Sequence, residues 1–294
     1  MCDEITERDN DAYLLKQGGA SRREALALMS AVGLAAMLPA PANAQEVMGK
    51  DVMVPTADGE ADAYFVAPTE GKHPGVIVWT DIYGLRPAFK GMADRLAKSG
   101  YAVLTANPFY RDARAPILPE GATMADPGVR EKLFGLATPL FSQPELTRTD
   151  AEAFIAYLDA QDSVDSAKQM GTTGYCMGGP LVLRTAAFFA DRIGAGATFH
   201  GSRMVTDGDS SPHLLIPQAD ADFLVAIAEN DDEQAPDHKT IMREAFEAAD
   251  LNVEMEVYEG ALHGWCPPDS RVYNEEAAEK AWARLLALFD GALV

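Results

Sequence analysis

Residues 169–181 read QMGTTGYCMGGPL. A strand is predicted over 169–175, and a helix is predicted from Met177 to about Ala190. Between them GYCMGG holds Cys176 in a Gly-x-Cys-x-Gly turn, which is the spacing of a nucleophile elbow with Cys in place of Ser. A nucleophile at such an elbow sits on a sharp, strained turn. A Cβ two residues before or after it would collide with neighbouring backbone, so glycine is needed at both positions.

The helix predicted behind Cys176 also affects the chemistry of the thiol. The partial positive charge of a helix N-terminus favours the thiolate form of a nearby cysteine. The N–H group of Met177 could donate to a developing oxyanion. We therefore predict that Cys176 is a nucleophile rather than a buried structural cysteine.

The rest of the chain alternates strand and helix patterns. Residues 51–68 hold two extended runs around Asp58-Gly59, which predicts an N-terminal hairpin. Further strands are predicted at 74–80, 101–108, 195–200, 222–230 and 252–260, and helices at 87–98, 145–160, 237–249 and 273–288. This order predicts an α/β fold, a mostly parallel central sheet with helices on both faces, whose ligand sites lie at the carboxyl ends of the strands. The Pro- and Gly-rich stretch 109–144 breaks the alternation and predicts a lid or binding loop.

A nucleophilic thiol needs a base and an acid that orients it, and in α/β-hydrolases the chain order is nucleophile, acid, histidine. His263 lies in EGALHGW just past the last predicted strand and is the preferred base; His200, which also ends a strand, is the competitor. The acid should follow the strand that ends at Ala228, where the sequence reads ENDDE. Asp231 is the preferred acid, with Asp232 as the alternative.

Four stretches together resemble the dienelactone hydrolase (carboxymethylenebutenolidase) family of α/β-hydrolases. They are VIVWTDIYGL (76–85), GYCMGG (174–179), the Asp231 region and YEGALHGW (258–265). The resemblance spans about residues 51–288. It implies an α/β-hydrolase fold, a catalytic triad of Cys176, Asp231 and His263, and no metal or cofactor.

The resemblance also implies a carboxylate that holds the cysteine neutral until substrate binds. The family has glutamate at this position, and this chain has Asp81, which is one methylene shorter. By position, the oxyanion donors are the N–H groups of Ile82 and Met177. The family's characterised lactonases bind a substrate carboxylate with an arginine shortly after the histidine. This chain has Cys266-Pro267-Pro268 there, with Arg271 the nearest replacement, so the substrate is expected to differ from dienelactone itself.

Several residues near the predicted strand ends are candidates for substrate binding. We predict this role for Tyr83, Trp265 and Arg130. Tyr110, Arg86 and Arg111 are weaker candidates of the same kinds, because aromatic residues in such loops often pack and exposed arginines are often solvated.

The composition excludes some partners. The 294 residues hold 24 Lys and Arg against 45 Asp and Glu, a formal charge of -21, which repels nucleic acid and anionic lipid alike. The predicted partner is a small-molecule ester or lactone, and monomer and dimer both remain open. Three cysteines are too few for a disulfide framework.

The N-terminus predicts export. Residues 21–45 read SRREALALMSAVGLAAMLPAPANAQ, with Arg22-Arg23, a mildly apolar core and Ala42-Asn43-Ala44, the pattern of a twin-arginine signal peptide. The expected division is a signal at 1–44 and one α/β-hydrolase domain at 45–294. The expected location is the periplasm, or the cytoplasm if the signal is not used.

The expected activity is hydrolysis of lactones or small carboxylic esters through a thioester acyl-enzyme. Two alternatives stay open: a general carboxylesterase on small esters, and a non-catalytic, redox-responsive binding protein that pairs Cys176 with Cys266.

Overall fold

The computed structural model describes residues 4–16, 38–41, 43–119 and 121–293. Arg22, Arg23 and most of the predicted export signal lie outside the described residues, as does Cys2. Within the predicted signal the structure has a helix, α1 (Glu4–Lys16), that the sequence analysis did not predict. Asp11 of α1 forms an ion pair of 3.2 Å with Arg271.

Eight strands form one sheet in the described part of the chain, in the order β1-β2-β4-β3-β5-β6-β7-β8. The strands are β1 (Val47–Thr56), β2 (Gly59–Pro68), β3 (Gly75–Trp79), β4 (Ala102–Ala106), β5 (Met170–Tyr175), β6 (Ile193–Phe199), β7 (Asp222–Ala228) and β8 (Val253–Tyr258). The pairs β1–β2 and β2–β4 are antiparallel, and the strands from β4 to β8 are parallel. The predicted parallel sheet and N-terminal hairpin are therefore confirmed.

Helices cover both faces of this sheet. They are α2 (Pro87–Lys98), α3 (Val129–Ser142), α4 (Pro144–Asp159), α5 (Gly178–Phe188), α6 (Glu229–Gln234), α7 (His238–Ala248) and α8 (Glu275–Ala292), with a 3-10 helix at Pro212–Gln218. The predicted bounds of α2 are confirmed, with Pro87 in its first turn. The loop predicted over 109–144 is wrong in its second half, where α3 forms.

The two faces of the sheet have separate hydrophobic clusters because side chains along a strand alternate. Val76 and Val78 of β3 pack with residues of α2 and α8, whereas Ile77 and Trp79 pack with residues of α4, α5 and α7. Every residue of β3, β4, β5 and β6 is buried. Strands covered on both faces have no solvent-facing polar side, so β3 is a continuous apolar run, which is the pattern from which it was predicted.

A third cluster lies above the carboxyl ends of the strands. Leu133, Ala137 and Leu140 of α3 are buried in it together with Cys176 and Met177. The carboxyl ends of the six parallel strands thus lie at one edge of the sheet, and α3 covers part of that edge.

Candidate active site

Cys176 lies between β5 and α5 in a left-handed backbone conformation, with φ of 53°. Glycines make this turn sterically feasible. A Cβ on Gly174 would overlap the carbonyl oxygen of Gly178, and a Cβ on Gly178 would overlap that of Trp79. The close approach at these two positions is the collision expected from the sequence, and it fixes the thiol at the carboxyl end of the central strand.

The backbone of Cys176 is bonded to the neighbouring strand end. Its N–H donates to the carbonyl of Phe199 at 3.0 Å, and its carbonyl accepts from the N–H of Ser202 at 2.9 Å. The Oγ of Ser202 also lies 3.5 Å from the Cys176 Sγ. The thiol is buried, with 3% of Cys176 exposed.

His263 follows β8 and meets an acid that follows β7. Its Nδ1 lies 2.6 Å from Oδ2 of Asp231, and its backbone N–H donates to Oδ1 of Asn230 at 2.8 Å. Asp232 points elsewhere and accepts a hydrogen bond of 2.6 Å from Lys239. The structure therefore brings Asp231, and not Asp232, to the histidine, in the chain order expected of a triad.

The charge of Asp231 controls the protonation of His263. Burial alone would lower the pKa of His263, but Asp231 outweighs it and raises this pKa to about 9, with a smaller contribution from Cys176. Burial would raise the pKa of Asp231, yet the charge and hydrogen bond of His263 hold it well below its usual range. Asp231 is thus a carboxylate beside a readily protonated imidazole, in electrostatic contact with the thiol.

His200 packs against His263 rather than competing with it. The two rings meet edge to face with centroids 5.0 Å apart, and the Trp265 and His200 rings also meet edge to face, with centroids 5.1 Å apart. Neither ring nitrogen of His200 has a hydrogen-bond partner among the described residues. Burial and the neighbouring His263 lower its pKa to about 3, so it stays neutral. An unprotonated ring without a carboxylate partner fits the packing role.

Asp81 follows β3 and forms part of a buried ion-pair network. Arg86 donates from Nη1 and Nη2 to both carboxylate oxygens of Asp81, at 2.6 and 2.9 Å. It also donates from Nε and Nη2 to Asp269, at 2.6 and 2.9 Å. Burial raises the pKa of Asp81 against the opposing effect of Arg86, and the Cys176 thiol raises it further. Asp81 and the thiol are therefore electrostatically coupled.

Two backbone N–H groups are available beside the thiol. Ile82 and Met177 are both buried, and neither N–H donates to any acceptor among the described residues. The N–H of Tyr83 next along the chain is instead bound to Asp81 at 2.9 Å. Two donors without acceptors at adjacent strand ends are the arrangement of an oxyanion hole.

The residues predicted to bind substrate lie in different surroundings. Tyr83 is partly buried against the cluster that holds Cys176. Arg130 is partly exposed at the start of α3, with its guanidinium 5.0 Å from the ring centre of Phe134. Trp265 is fully buried and stacks on Tyr258 with ring centroids 5.2 Å apart. Its predicted substrate contact is not supported, because the indole packs in the core beside α8.

The weaker candidates are bound within the protein. The hydroxyl of Tyr110 donates to Asp150 at 2.8 Å, and Arg111 forms ion pairs with Asp150 and Asp58 at 2.6 and 2.7 Å. Arg271 pairs with α1. Within the described residues, no group of three or more metal-ligating side chains is placed to hold a metal ion.

Cys266 lies in a different cluster from Cys176. It packs with residues of α2 and α8, whereas Cys176 packs with residues of α3. Burial raises the pKa of the Cys266 thiol well above its usual value. No disulfide joins the two residues in the part of the chain that the structure describes. This placement gives no support to a redox pair.

Sequence reasoning missed Ser202, Asn230, and the pairing of Arg86 with Asp269. Ser202 follows β6 and Asn230 follows β7, so a search of every strand end could have identified both. Arg86 and Asp269 are 183 positions apart, and no local pattern links them.

No helix in the described ranges has both the length and the apolar character required to cross a bilayer.

Comparisons with known proteins identify the family of the chain. The family model described as "Dienelactone hydrolase family" matches residues 61–293. A Synechocystis protein named "Putative carboxymethylenebutenolidase" is 28% identical over 243 residues, 81% of this chain and 95% of its own. A Methylorubrum extorquens protein of the same name is 28% identical, covering 92% of this chain and 93% of its own.

A solved structure from Klebsiella pneumoniae, described as a "Putative Dienelactone Hydrolase", superposes with a TM-score of 0.71 at 23% identity. The match covers 84% of this chain and 99% of that one. At this identity the similarity shows the fold alone, and that fold is the α/β-hydrolase fold expected from the sequence.

Proposed function

Because the chain belongs to the dienelactone hydrolase family and is a carboxylic ester hydrolase, we propose that it cleaves lactones or small carboxylic esters with Cys176 as the nucleophile. One observation carries this proposal. Cys176 stands on a left-handed elbow at a strand end, in electrostatic contact with a His263 that lies 2.6 Å from Asp231. A thiol, a base and an orienting acid are the parts that nucleophilic acyl transfer requires.

The first half of the reaction forms a thioester. When the ester binds, the Cys176 thiol gives its proton to His263. The resulting thiolate adds to the carbonyl carbon of the ester, and the carbonyl π electrons move to oxygen. The N–H groups of Ile82 and Met177 stabilise this oxyanion. When the carbonyl re-forms, the C–O bond to the leaving alkoxide breaks, and protonated His263 gives the alkoxide its proton.

The second half hydrolyses the thioester. Neutral His263 takes a proton from water, and the hydroxide adds to the thioester carbonyl. Collapse of the second oxyanion breaks the C–S bond and releases the carboxylic acid, which restores Cys176. A lactone follows the same path, with its ring oxygen as the leaving group.

Asp81 modulates the thiol in the resting enzyme. A negative carboxylate near the sulfur disfavours the thiolate, so the thiol stays protonated and less easily oxidised. Arg86 fixes Asp81 in place through its two hydrogen bonds. Tyr83, packed against the same cluster as Cys176, and Arg130, at the start of α3, are proposed to contact the substrate.

The acyl-enzyme provides the test. With reductant present, we expect a panel of a dienelactone, simple lactones and short p-nitrophenyl esters to include substrates, and their ranking to separate lactonase from general esterase. Mass spectrometry of acid-quenched enzyme should find the acyl group on the peptide that contains Cys176. Turnover with the acyl group on another residue would contradict the proposed nucleophile.

We also propose that Arg22 and Arg23 direct export to the periplasm, with cleavage after Ala44. The sequence pattern supports this proposal. Replacing both arginines by lysine should keep the protein in the cytoplasmic fraction at its full precursor length, whereas the unmodified chain should appear in the periplasm about 44 residues shorter. Equal export of both forms would rule out the twin-arginine route.

A further inference from the structure

The reacting atoms of the proposed site lie in an apolar cluster. Cys176, Met177 and Ile82 belong to the same cluster of buried residues, in which the other members come from the stretch after β4 and from α3: Phe109, Ile117, Met124, Leu133, Ala137 and Leu140. A carbonyl bound between the N–H groups of Ile82 and Met177 would direct its substituents into these side chains. An alkyl chain gains free energy on burial there, whereas a charged group would lose its hydration.

Arg86 is the arginine bound to the carboxylate beside the thiol, and the protein occupies all of its hydrogen-bonding capacity. A guanidinium has five N–H donors. Two bonds go to Asp81, two to Asp269, and one from Nη1 to the carbonyl of Gly84 at 3.3 Å. The two carboxylates outweigh burial and raise the pKa of Arg86, which keeps it positive. None of its donors remains for a carboxylate of the substrate.

Of the two carboxylates bound to Arg86, Asp269 is the one that is not proposed to act on the nucleophile. It lies six residues after His263, in the loop between β8 and α8, and its carboxylate is bidentate with Arg86. Its geometry is the one that a substrate carboxylate would adopt on a guanidinium. Asp269 therefore fills from within the protein the position that an anionic substrate would need.

We infer that the site accepts neutral, apolar acyl groups and rejects acyl groups with a carboxylate, and that Asp269 sets this selectivity by occupying Arg86. The inference rests on the proposed function and adds the substrate class to it. Two other arginines lie over aromatic rings of α3: Arg130 is 5.0 Å from the centre of Phe134, and Arg203 is 5.2 Å from that of Phe141. The competing hypothesis is that one of them binds a carboxylate of the substrate.

The test compares two esters of equal acyl length and identical leaving group, p-nitrophenyl pentanoate and mono-p-nitrophenyl glutarate. In the unmodified chain we expect kcat/KM to be about 100-fold higher for the neutral ester, because burial of an unpaired carboxylate is costly. The ratio should persist in 0.5 M NaCl, which screens the net charge of the protein but not a local contact.

Asp269→Asn should reduce the neutral-to-anionic ratio about tenfold or more, because it removes one charge facing Arg86 and allows a substrate carboxylate to compete. Asp269→Ser serves the same purpose if the asparagine variant folds poorly. The matched control is Asp58→Asn, which removes one of the two carboxylates around Arg111 and should leave the ratio unchanged.

Three outcomes would overturn the inference. The glutarate ester could be hydrolysed as well as the pentanoate ester, with Arg130→Gln or Arg203→Gln removing that activity. The ratio could be the same in Asp269→Asn, Asp269→Ser and the unmodified chain, or the selectivity could vanish in high salt. Failure of the folded, unmodified chain to hydrolyse either ester would instead refute the proposed function. This result is therefore distinct from the three that overturn only the inference about selectivity.

Discussion

Cys176→Ala is expected to lower kcat/KM for ester hydrolysis by about 10⁴-fold or more, because removal of the nucleophile of such a unit leaves only binding and the oxyanion donors. The residual rate should be that of direct attack by water on an ester whose carbonyl is polarised by the two N–H donors. The loss should fall on kcat, since the alanine side chain leaves the surrounding apolar cluster almost unchanged. Release of p-nitrophenolate from a short ester measures the effect.

Two variants control this result. Cys176→Ser keeps a nucleophilic atom on the elbow but exchanges a thiol for a hydroxyl whose proton is far harder to remove, so we expect a loss of about 10²-fold or more. Cys266→Ala removes the other described cysteine, which lies in the cluster of α2 and α8, and should retain activity within about threefold. Circular dichroism would verify that each variant is folded.

The result that contradicts the proposal is also specific. If Cys176→Ala keeps more than a few per cent of the activity, the nucleophile lies elsewhere. Ser202 would then be the first residue to test, because its Oγ lies 3.5 Å from the sulfur position. Loss of activity in Cys266→Ala, with Cys176→Ala still active, would show that the Cys266 thiol is needed for activity.

The elements of the fold could be predicted because their signals are local. The strand β3 is a short, continuous apolar run and β4 is a mostly apolar one, and α2 begins at a proline and ends before Gly100. The elbow could be located for the same reason, since the glycines that its geometry requires all lie within the six residues 174–179. In contrast, α3 contains Gly135 and Pro139, residues that disfavour helix interiors, and it was taken for a loop.

The parts of the site that escaped prediction depend on contacts between distant segments. Arg86 meets Asp269 across 183 positions. Trp265 and His263 occupy the same turn, yet the tryptophan packs in the core while the histidine pairs with Asp231. The sequence favoured Asp231 but left Asp232 open, because they are adjacent acids in a stretch predicted as strand end and loop. In α6 neighbouring side chains diverge by about 100°, which sends one to His263 and the other to Lys239.

Asp231→Asn is expected to lower kcat/KM by about 10³-fold or more, because an amide can keep the hydrogen-bond geometry but not the charge that supports a protonated imidazole. In the unmodified chain Asp231 raises the pKa of His263 to about 9, against the opposing effect of burial. Without that charge, burial dominates and the pKa falls. His263 would then carry the proton needed by the leaving group in only a small fraction of molecules at neutral pH.

The pH profile distinguishes this mechanism from a structural defect. Activity of the unmodified chain should decline on the alkaline side near pH 9, where His263 loses its proton. In Asp231→Asn that limb should move to lower pH by at least about one unit, because a neutral partner no longer favours the imidazolium. A defect in folding would lower the whole profile without moving the limb.

Asp232→Asn is the matched control, since it changes the adjacent residue by the same group. Asp232 accepts a hydrogen bond from Lys239, whereas the carboxylate bound to His263 is that of Asp231, so activity should stay within about threefold and the alkaline limb should not move. The opposite pattern, with Asp232→Asn inactive and Asp231→Asn active, would assign the acid to the residue that the geometry disfavours. Because both variants carry the same change of charge, the difference between them isolates the 2.6 Å contact with His263 from the general electrostatics of this acidic segment.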